Sequence, residues 1–456
     1  MALVRRPSDL LMSAVLLIAV ASAAVFLAAN RTDHLGPPRG GAFEHHVRRS
    51  VNAAEFVGSI GVCTHIGYLD TSYGNLNAVL SSLSYLRINK VRDGLNTNAW
   101  SRYDGMANAG IKFSYVINAQ HENPSVFLGH MHAFSLEHPG SIEAIEGPNE
   151  INYWPVSFAD SKGHAAGTAM QRAIFSGARA DPVLAGVRIY DLTLGGASPW
   201  EYLGLGDHSD IVDYTNAHIY YGGGQPGFYW SKFFDEAKST APGKPTVVTE
   251  TGAADAHLST YGVDAITQAK QILNSLVDAA YYGSRATYLY QLADPSSDPS
   301  NTDIQRHYGL FDSEFRPKPA AVAVRNFLGL LARSSAGKTS TGGVGYEILN
   351  LPKGGRDVLF TKPNGTYDIA VWAEPDIWDE ATHKPIAAPM AQVTVRFATR
   401  FHAVAVYDPL QSDQPLQVQA DTDRVTVGVT DHPLIIEVGG GRPAHEPAAA
   451  GSVPAH

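Results

Sequence analysis

The 456-residue sequence contains one cysteine, Cys63, which excludes an intrachain disulfide and any metal site built from several thiolates. Positive charge is also scarce, because 34 lysine and arginine residues stand against 44 aspartate and glutamate residues. Nucleic-acid binding needs a concentrated basic surface, and no part of the sequence concentrates basic residues. Nucleic acid is therefore not expected as a partner, and Cys63 is predicted to be a small buried core residue.

Long hydrophobic runs are limited to one stretch near the N-terminus. Positions 10–29 carry no charge, and Arg5 and Arg6 precede them. Such a run can cross a bilayer, while "ASA" at positions 21–23 resembles a signal-peptidase site. Residues 1–33 are predicted to be a signal anchor or a signal peptide, with the anchor favoured because apolar residues continue past that site. Either alternative places the remainder in the periplasm or outside the cell, with this segment as the one membrane contact.

Short apolar runs alternate with amphipathic stretches from Phe56 onward. Eight strand-like runs, most of them separated by helical patterns, predict a (β/α)8 TIM barrel over residues 55–334. An open doubly wound sheet is the alternative, but the first run, "GSIGVC", lacks the G-x-G-x-x-G pattern of a phosphate-binding loop. Residues 34–54 are rich in glycine, proline and charge without periodicity, and are expected to be a linker.

The pattern changes after the barrel. "DVLFTKPNGTYDIAVWAE" places two strand-like runs around an Asn-Gly turn, and runs with period two continue to Gly440 without a long helix. This pattern predicts a small antiparallel β-sandwich over residues 335–440. Residues 441–456 have no apolar periodicity and are expected to be a disordered tail.

Two carboxylates follow or end strands of the predicted barrel. In "EAIEGPNEINYW" a buried strand breaks at Gly147 and Pro148, so Glu150 is expected at a mouth rather than in a core. Glu250 ends the seventh run, "PTVVTETG". Functional side chains of a TIM barrel collect at the carboxyl ends of its strands, so the two acids are expected to face each other. Opposed carboxyls suit glycosidic bond cleavage, which needs one protonated and one ionised acid.

These motifs resemble the clan A retaining glycoside hydrolases. "IEGPNE" is similar to the acid/base strand of that clan, "VVTETG" to its nucleophile strand, and "HIY" to its sixth strand. The resemblance covers about residues 56–330, and a trailing β-sandwich is a common companion. It implies that Glu150 is the acid/base, that Glu250 is the nucleophile and that Asn149 donates to the substrate 2-hydroxyl.

The resemblance also assigns supporting residues. Tyr220 is expected to hydrogen-bond the nucleophile, and Arg92 to orient it, although Arg92 could equally neutralise Glu146 inside the barrel. His218 is expected to be a hydrogen-bonded mouth residue rather than a general base. The aromatic residues near the mouth are expected to stack on sugar rings or to pack in the core, and they are Tyr153, Trp154, Tyr221, Tyr229 and Trp230.

The sequence departs from the clan pattern at two positions. Ile151 follows Asn-Glu where proline is common, which affects loop shape. "YLYQL" replaces the tryptophan that often ends the eighth strand, so Tyr290 or Gln291 must form the floor of the sugar site.

No metal and no cofactor are predicted. The acidic stretch at 294–303 lacks the glycine and the terminal glutamate of an EF-hand loop, so a solvated turn is expected. "HENPSVFLGHMH" lacks the His-Glu-x-x-His spacing of a zinc site.

The leading functional hypothesis is a retaining glycoside hydrolase that acts on an extracytoplasmic poly- or oligosaccharide. A transglycosylase of the same chemistry remains an alternative, as does a non-catalytic carbohydrate-binding envelope protein. Both intact carboxylates argue against the second alternative, because a protein freed from catalysis does not need both.

The N-terminal run yields a testable prediction about location. The full-length protein is expected to stay with the membrane fraction after a high-salt wash, because positions 10–29 can span the bilayer, whereas a version starting near Gly41 is expected to be soluble. Fractionation measures where each version of the protein is found, and N-terminal sequencing shows whether the native chain is cleaved. Soluble native protein that starts near Ala24 would show cleavage and contradict the anchor.

Overall fold

The computed structural model describes residues 50–333 and 344–443. The N-terminal hydrophobic run, residues 34–49 of the expected linker and the tail from residue 444 lie outside these ranges, so those predictions stay predictions. Within the described ranges, no helix combines the length and the apolar character that a bilayer crossing requires.

Eight parallel strands, β1 to β8, form a barrel and confirm the predicted fold class. Each strand pairs with its neighbour in chain order, β8 pairs with β1, and a parallel bridge between Tyr190 and Tyr214 joins β5 to the start of β6. The strands are Ile60–Cys63, Lys90–Asp93, Lys112–Val116, Ile142–Glu146, Arg188–Tyr190, Thr215–Tyr220, Thr246–Gly252 and Thr287–Leu289.

The barrel begins later than the sequence pattern predicted. Phe56 was expected to open the first strand, but it lies in helix Ala53–Val57, whose first turn is capped by the Asn52 side chain accepting from the Glu55 N–H. The Phe56 ring packs against Phe327 and Phe360. This tertiary contact and the helix cap outweigh the preference of the apolar run for a strand. The helices of the described residues, α1 to α9, are Ala53–Val57, Leu76–Leu86, Trp100–Asn108, Pro124–Glu137, Gly163–Ala180, Pro199–Leu205, Pro226–Ala237, Ala265–Tyr282 and Pro319–Ala332.

The C-terminal unit is the predicted β-sandwich, and its strands are antiparallel apart from one short addition. Gly365, at φ 76°, supplies the left-handed residue of the Asn-Gly turn between the second and third strands. The runs "QVTVRFA" and "HAVAVYDP" were predicted as separate strands, but they form one long strand, Ala391–Tyr407, whose pairing with the next strand has register shifts. The strands, β9 to β14, are Tyr346–Leu349, Arg356–Thr361, Tyr367–Trp372, Ala391–Tyr407, Pro415–Val429 and Leu434–Pro443.

The sandwich and the barrel pack against each other as one body. The short strand Ser50–Asn52, which falls in the expected linker, pairs in parallel with β10 of the sandwich before the chain enters the barrel. Phe360 of β10 belongs to the same buried cluster as the barrel helices. Residues 50–52 of the expected linker therefore pair with the sandwich, and the chain passes from them into the barrel.

An ion-pair network at this junction depends on pH. His432 contacts Asp431 through Nδ1 at 2.7 Å and Asp408 through Nε2 at 3.1 Å, and Lys270 of α8 reaches Asp431 at 2.7 Å. Burial alone would lower the pKa of His432, but the hydrogen bonds and charges of the two carboxylates outweigh burial and raise the pKa to about 9. The same contacts outweigh burial at Asp431 and lower its pKa to about 2.

The direction of the His432 pKa shift predicts how the stability of the protein changes with pH. A folded pKa above the ordinary 6.5 means that the His432 contribution to stability is full below pH 6.5 and is lost as the pH rises through 9. His432→Gln is expected to lower the free energy of unfolding by roughly 1 to 3 kcal/mol at pH 6, and by much less at pH 9.5. Urea denaturation at both pH values measures this difference. His402→Gln, at an exposed histidine, is the control, and a loss independent of pH would contradict the prediction.

Candidate active site

Glu150 occupies a strained position just beyond the end of β4. The strand ends at Glu146, and the chain turns through Gly147 and Pro148. Glu150 has φ 41°, a left-handed conformation that costs a non-glycine residue roughly 1 to 3 kcal/mol. Its backbone N–H donates to Thr193 Oγ1 at 3.0 Å, which compensates part of that cost. The expected break after β4 is thus present, and Glu150 lines the mouth of the barrel.

Glu250 lies in β7 and faces Glu150 across the mouth. One carboxylate oxygen of each acid and a ring nitrogen of His218 all lie within 4.8 Å of one another. His218 Nδ1 is 2.8 Å from Glu150 Oε1 and 3.7 Å from Glu250 Oε2. The barrel therefore brings together two carboxylates that are separated by one hundred positions in the sequence.

Arg92, in β2, joins three predicted residues through one guanidinium. Its Nε donates to Glu146 at 2.9 Å, its Nη1 to Glu250 at 2.5 Å, and its Nη2 to Asn149 at 2.7 Å. The side chain is buried. Arg92 thus makes both contacts that the sequence left as alternatives, one to Glu146 and one to Glu250.

The surroundings of Glu250 favour its ionised form. Burial alone would raise the pKa of Glu250, but the charges of His218 and Arg92 outweigh burial. Tyr220 adds a hydrogen bond from its hydroxyl to Glu250 Oε2 at 2.6 Å. Together these contacts lower the pKa below its ordinary value, so Glu250 carries a negative charge at neutral pH.

A cavity of about 1450 Å³ surrounds the two carboxylates. Tyr290 and Trp154 line it, whereas Gln291 is buried and accepts a hydrogen bond from Tyr73, so Tyr290 is the residue that reaches the mouth from β8. Trp230 is buried and donates to Ser275, which makes it a packing residue. The other expected aromatic residues line the cavity, and they are Tyr153, Tyr221 and Tyr229.

Several lining residues were missed by the sequence analysis, among them His65, Tyr68 and Tyr308. His65 and Tyr68 follow β1 and stack on each other with ring centroids 5.0 Å apart, and burial lowers the pKa of His65 to about 4. Tyr308 packs edge-on against Tyr220 and Tyr290. No local pattern of the sequence marks His65 or Tyr308 as a mouth residue.

The acidic loop after β8 differs from the expected solvated turn. Asp294 is buried, and the ammonium group of Lys318 lies 2.7 Å from Asp294 and 2.7 Å from Asp255. His307 Nδ1 lies 3.1 Å from Asp255. The positive charge between these carboxylates therefore comes from a lysine of the chain.

Comparisons with known proteins match the fold. No protein-family model matches the sequence, and no curated protein is significantly similar to it. The family 39 glycoside hydrolase from the gut symbiont Bacteroides cellulosilyticus WH2 superposes with a TM-score of 0.59 at 16% identity, covering 86% of this chain and 83% of that one. A monomeric beta-xylosidase from Caulobacter crescentus CB15 gives 0.55 at 16% identity, covering 86% and 98%. The GH39 enzyme from Xanthomonas axonopodis pv. citri gives 0.53 at 13% identity, covering 86% and 96%. At these identities the likeness establishes the fold, and it confirms the structural part of the clan A resemblance.

The Arg92 network gives a prediction about stability. Arg92→Met is expected to lower the free energy of unfolding by about 3 to 5 kcal/mol, because it removes the guanidinium that pairs with the buried Glu146 and Glu250. Adding Glu146→Gln is expected to restore part of this loss. Arg188→Met, at a half-exposed arginine on β5, should cost about 1 kcal/mol or less. Chemical denaturation measures the free energy of unfolding of all three variants. Equal losses of that free energy in Arg92→Met and Arg188→Met would contradict the prediction.

Proposed function

We propose that the protein is a retaining glycoside hydrolase in which Glu250 is the nucleophile and Glu150 is the acid/base. The observation that carries this proposal is an ionised Glu250, held by Arg92 and Tyr220, whose carboxylate lies within 4.8 Å of a Glu150 oxygen. Retaining enzymes place their two carboxyl groups about 5 to 5.5 Å apart, whereas inverting enzymes leave about 6.5 to 9.5 Å for a water molecule. The observed closeness supports the retaining mechanism.

The hydrogen-bond chain behind His218 supports a proton shared between His218 and Glu150. Thr249 Oγ1 donates to Asn216 Oδ1 at 2.9 Å, so the same oxygen accepts from His218 Nε2 at 3.1 Å. Nε2 therefore carries a proton, and the 2.8 Å contact between Nδ1 and Glu150 Oε1 requires one further proton, which these two atoms share. His218 and Glu150 thus hold one proton at the mouth, where a general acid needs it to protonate the departing glycosidic oxygen.

The reaction proceeds in two displacements. In the first, a Glu250 oxygen forms a bond to the anomeric carbon while the glycosidic bond breaks and Glu150 protonates the departing oxygen. In the second, the Glu150 carboxylate removes a proton from water, whose oxygen attacks the same carbon and displaces Glu250. Arg92 holds Glu250 in position and bonds Asn149, whose amide nitrogen is left to donate to the sugar beside the anomeric carbon.

The substrate is proposed to be an extracytoplasmic poly- or oligosaccharide. The N-terminal hydrophobic run supports the location, and the superposition on a beta-xylosidase makes a β-xyloside the first sugar to test. A panel of aryl β-glycosides and of polysaccharides, with release of reducing sugar as the readout, identifies the sugar.

Variants of the two carboxylates test the assignment. Glu250→Ala is expected to abolish turnover, because it removes the group that forms the covalent intermediate. Glu150→Ala is expected to lower kcat by about 10²- to 10⁴-fold on poor leaving groups and less on good ones, with partial rescue by azide. Glu314→Ala, at an exposed residue remote from the mouth, is the control. Proton NMR of the first product is expected to show retained anomeric configuration, and an inverted product would refute the proposal.

A further inference from the structure

A hairpin of the sandwich reaches the mouth of the barrel. Its two short strands are Trp378–Asp379 and Lys384–Pro385. The Trp378 ring is buried in a cluster with Tyr221 and Ala253, which lie just beyond β6 and β7. The C-terminal unit therefore contributes to the rim of the cavity, although its strands lie outside the barrel.

A glycine in the loop after β6 permits this approach. A Cβ atom on Gly223 would lie 2.7 Å from Trp378 Cδ1 and 3.1 Å from Glu380 Cγ, which is closer than packed carbon atoms come. Any larger residue at position 223 would push the hairpin away from the barrel. Because Gly223 has no side chain, both Trp378 and Glu380 can pack against the loop.

The turn of the hairpin is held in one conformation. The Asp379 carboxylate accepts from the backbone N–H of Ala381 at 2.9 Å and from the Thr382 hydroxyl at 2.7 Å. The stem is fixed as well, because Gln225 donates to Asp376 at 2.9 Å. Glu380 therefore projects from a rigid turn rather than from a flexible loop.

Glu380 lines the cavity that contains Glu150 and Glu250. Its neighbours on that wall are Tyr229 and Tyr261, and burial together with the charge of Glu380 raises the pKa of both phenols. Glu380 is exposed, and no group in residues 50–333 or 344–443 pairs with its carboxylate. An acceptor without a donor beside two aromatic rings suits a hydroxylated ring, which stacks through its C–H face and donates through its hydroxyls.

The size of the cavity leaves room for such a ring beyond the reacting bond. Pockets for single small molecules measure about 300 to 1000 Å³. The cavity of about 1450 Å³ exceeds that range and extends from His65 and Tyr68 after β1 to Tyr229 on α7 and Glu380 on the hairpin. A single sugar over Glu250 would leave the hairpin end unfilled.

We infer that Glu380 is a specificity-determining residue, and that its carboxylate accepts hydrogen bonds from the hydroxyl groups of a sugar held against Tyr229 and Tyr261, outside the position where the bond is cleaved. The inference rests on the proposed function for the position of the reacting bond. Through Glu380, the sandwich would contribute directly to specificity for oligosaccharides over single glycosides.

Paired substrates test the inference. Native protein and Glu380→Ala are compared on an aryl β-xyloside and on xylotetraose, or on the corresponding pair for the sugar that the panel identifies. The ratio of kcat/KM for the oligosaccharide to kcat/KM for the aryl glycoside is expected to fall about tenfold in Glu380→Ala, through loss of a hydrogen bond to a charged group. Lys384→Ala, at an exposed residue of the same hairpin that does not line the cavity, should keep the native ratio. If the ratio of the two kcat/KM values in Glu380→Ala equals that of the native protein, the inference is overturned.

A binding measurement separates this inference from the proposed function. In Glu250→Ala, titration calorimetry with the same oligosaccharide is expected to show about tenfold weaker binding when Glu380→Ala is added. Gly223→Ala, which keeps the carboxylate but displaces the hairpin, is expected to weaken binding as well. Equal affinity with and without Glu380 would overturn the inference. Oligosaccharide binding that depends on Glu380, without cleavage by the native protein, would support the inference and refute the hydrolase.

Discussion

The buried guanidinium of Arg92 is the interaction on which the rest of the site depends. A charge in the interior of a barrel is tolerated only when it is paired and fully hydrogen-bonded, and Arg92 meets this condition with partners from β4 and β7. Ser114 of β3 donates to the free oxygen of Glu146 at 2.7 Å, so the inner carboxylate is satisfied as well. One cation thus links four strands of the barrel and balances the charge of Glu250.

A second network serves Glu150, and His218 links it to the first, because its Nδ1 lies 3.7 Å from Glu250 Oε2. His218 contacts Thr249, Thr249 contacts Asn216, and the Asn216 amide donates to the Asp191 backbone carbonyl at 3.2 Å. The first network offers Glu250 positive charge, which stabilises an ionised acid. The second offers Glu150 a ring nitrogen that can share a proton. Two carboxylates of identical chemistry are thereby placed in different environments, as the proposed acid and nucleophile require.

The sequence predicted those parts of the site that local patterns encode. Glu150 and Glu250 were found because each carboxylate ends or follows a buried strand, and parallel strands of a barrel end at one mouth. Glu380 was not found, because it lies 130 positions beyond Glu250 and reaches the cavity only through packing of the sandwich on the barrel. The start of β1 was misplaced for a related reason, since the contact of Phe56 with Phe360 spans most of the chain. Local periodicity cannot encode such contacts.

The same junction that stabilises the sandwich also shapes the cavity. Arg356 of β10 contacts Asp278 of α8 at 2.7 Å and lies 3.6 Å from Glu374, which accepts from the backbone N–H of Gly227 at 2.6 Å. Gly227 is in the first turn of α7, where an anionic partner is favoured by the helix dipole, and Tyr229, two residues further along, lines the cavity. The orientation of that wall is therefore set by residues of the sandwich. A barrel without its sandwich would lose Glu380 and also the anionic cap of the helix that carries Tyr229, so the second unit is part of the site rather than an appended module.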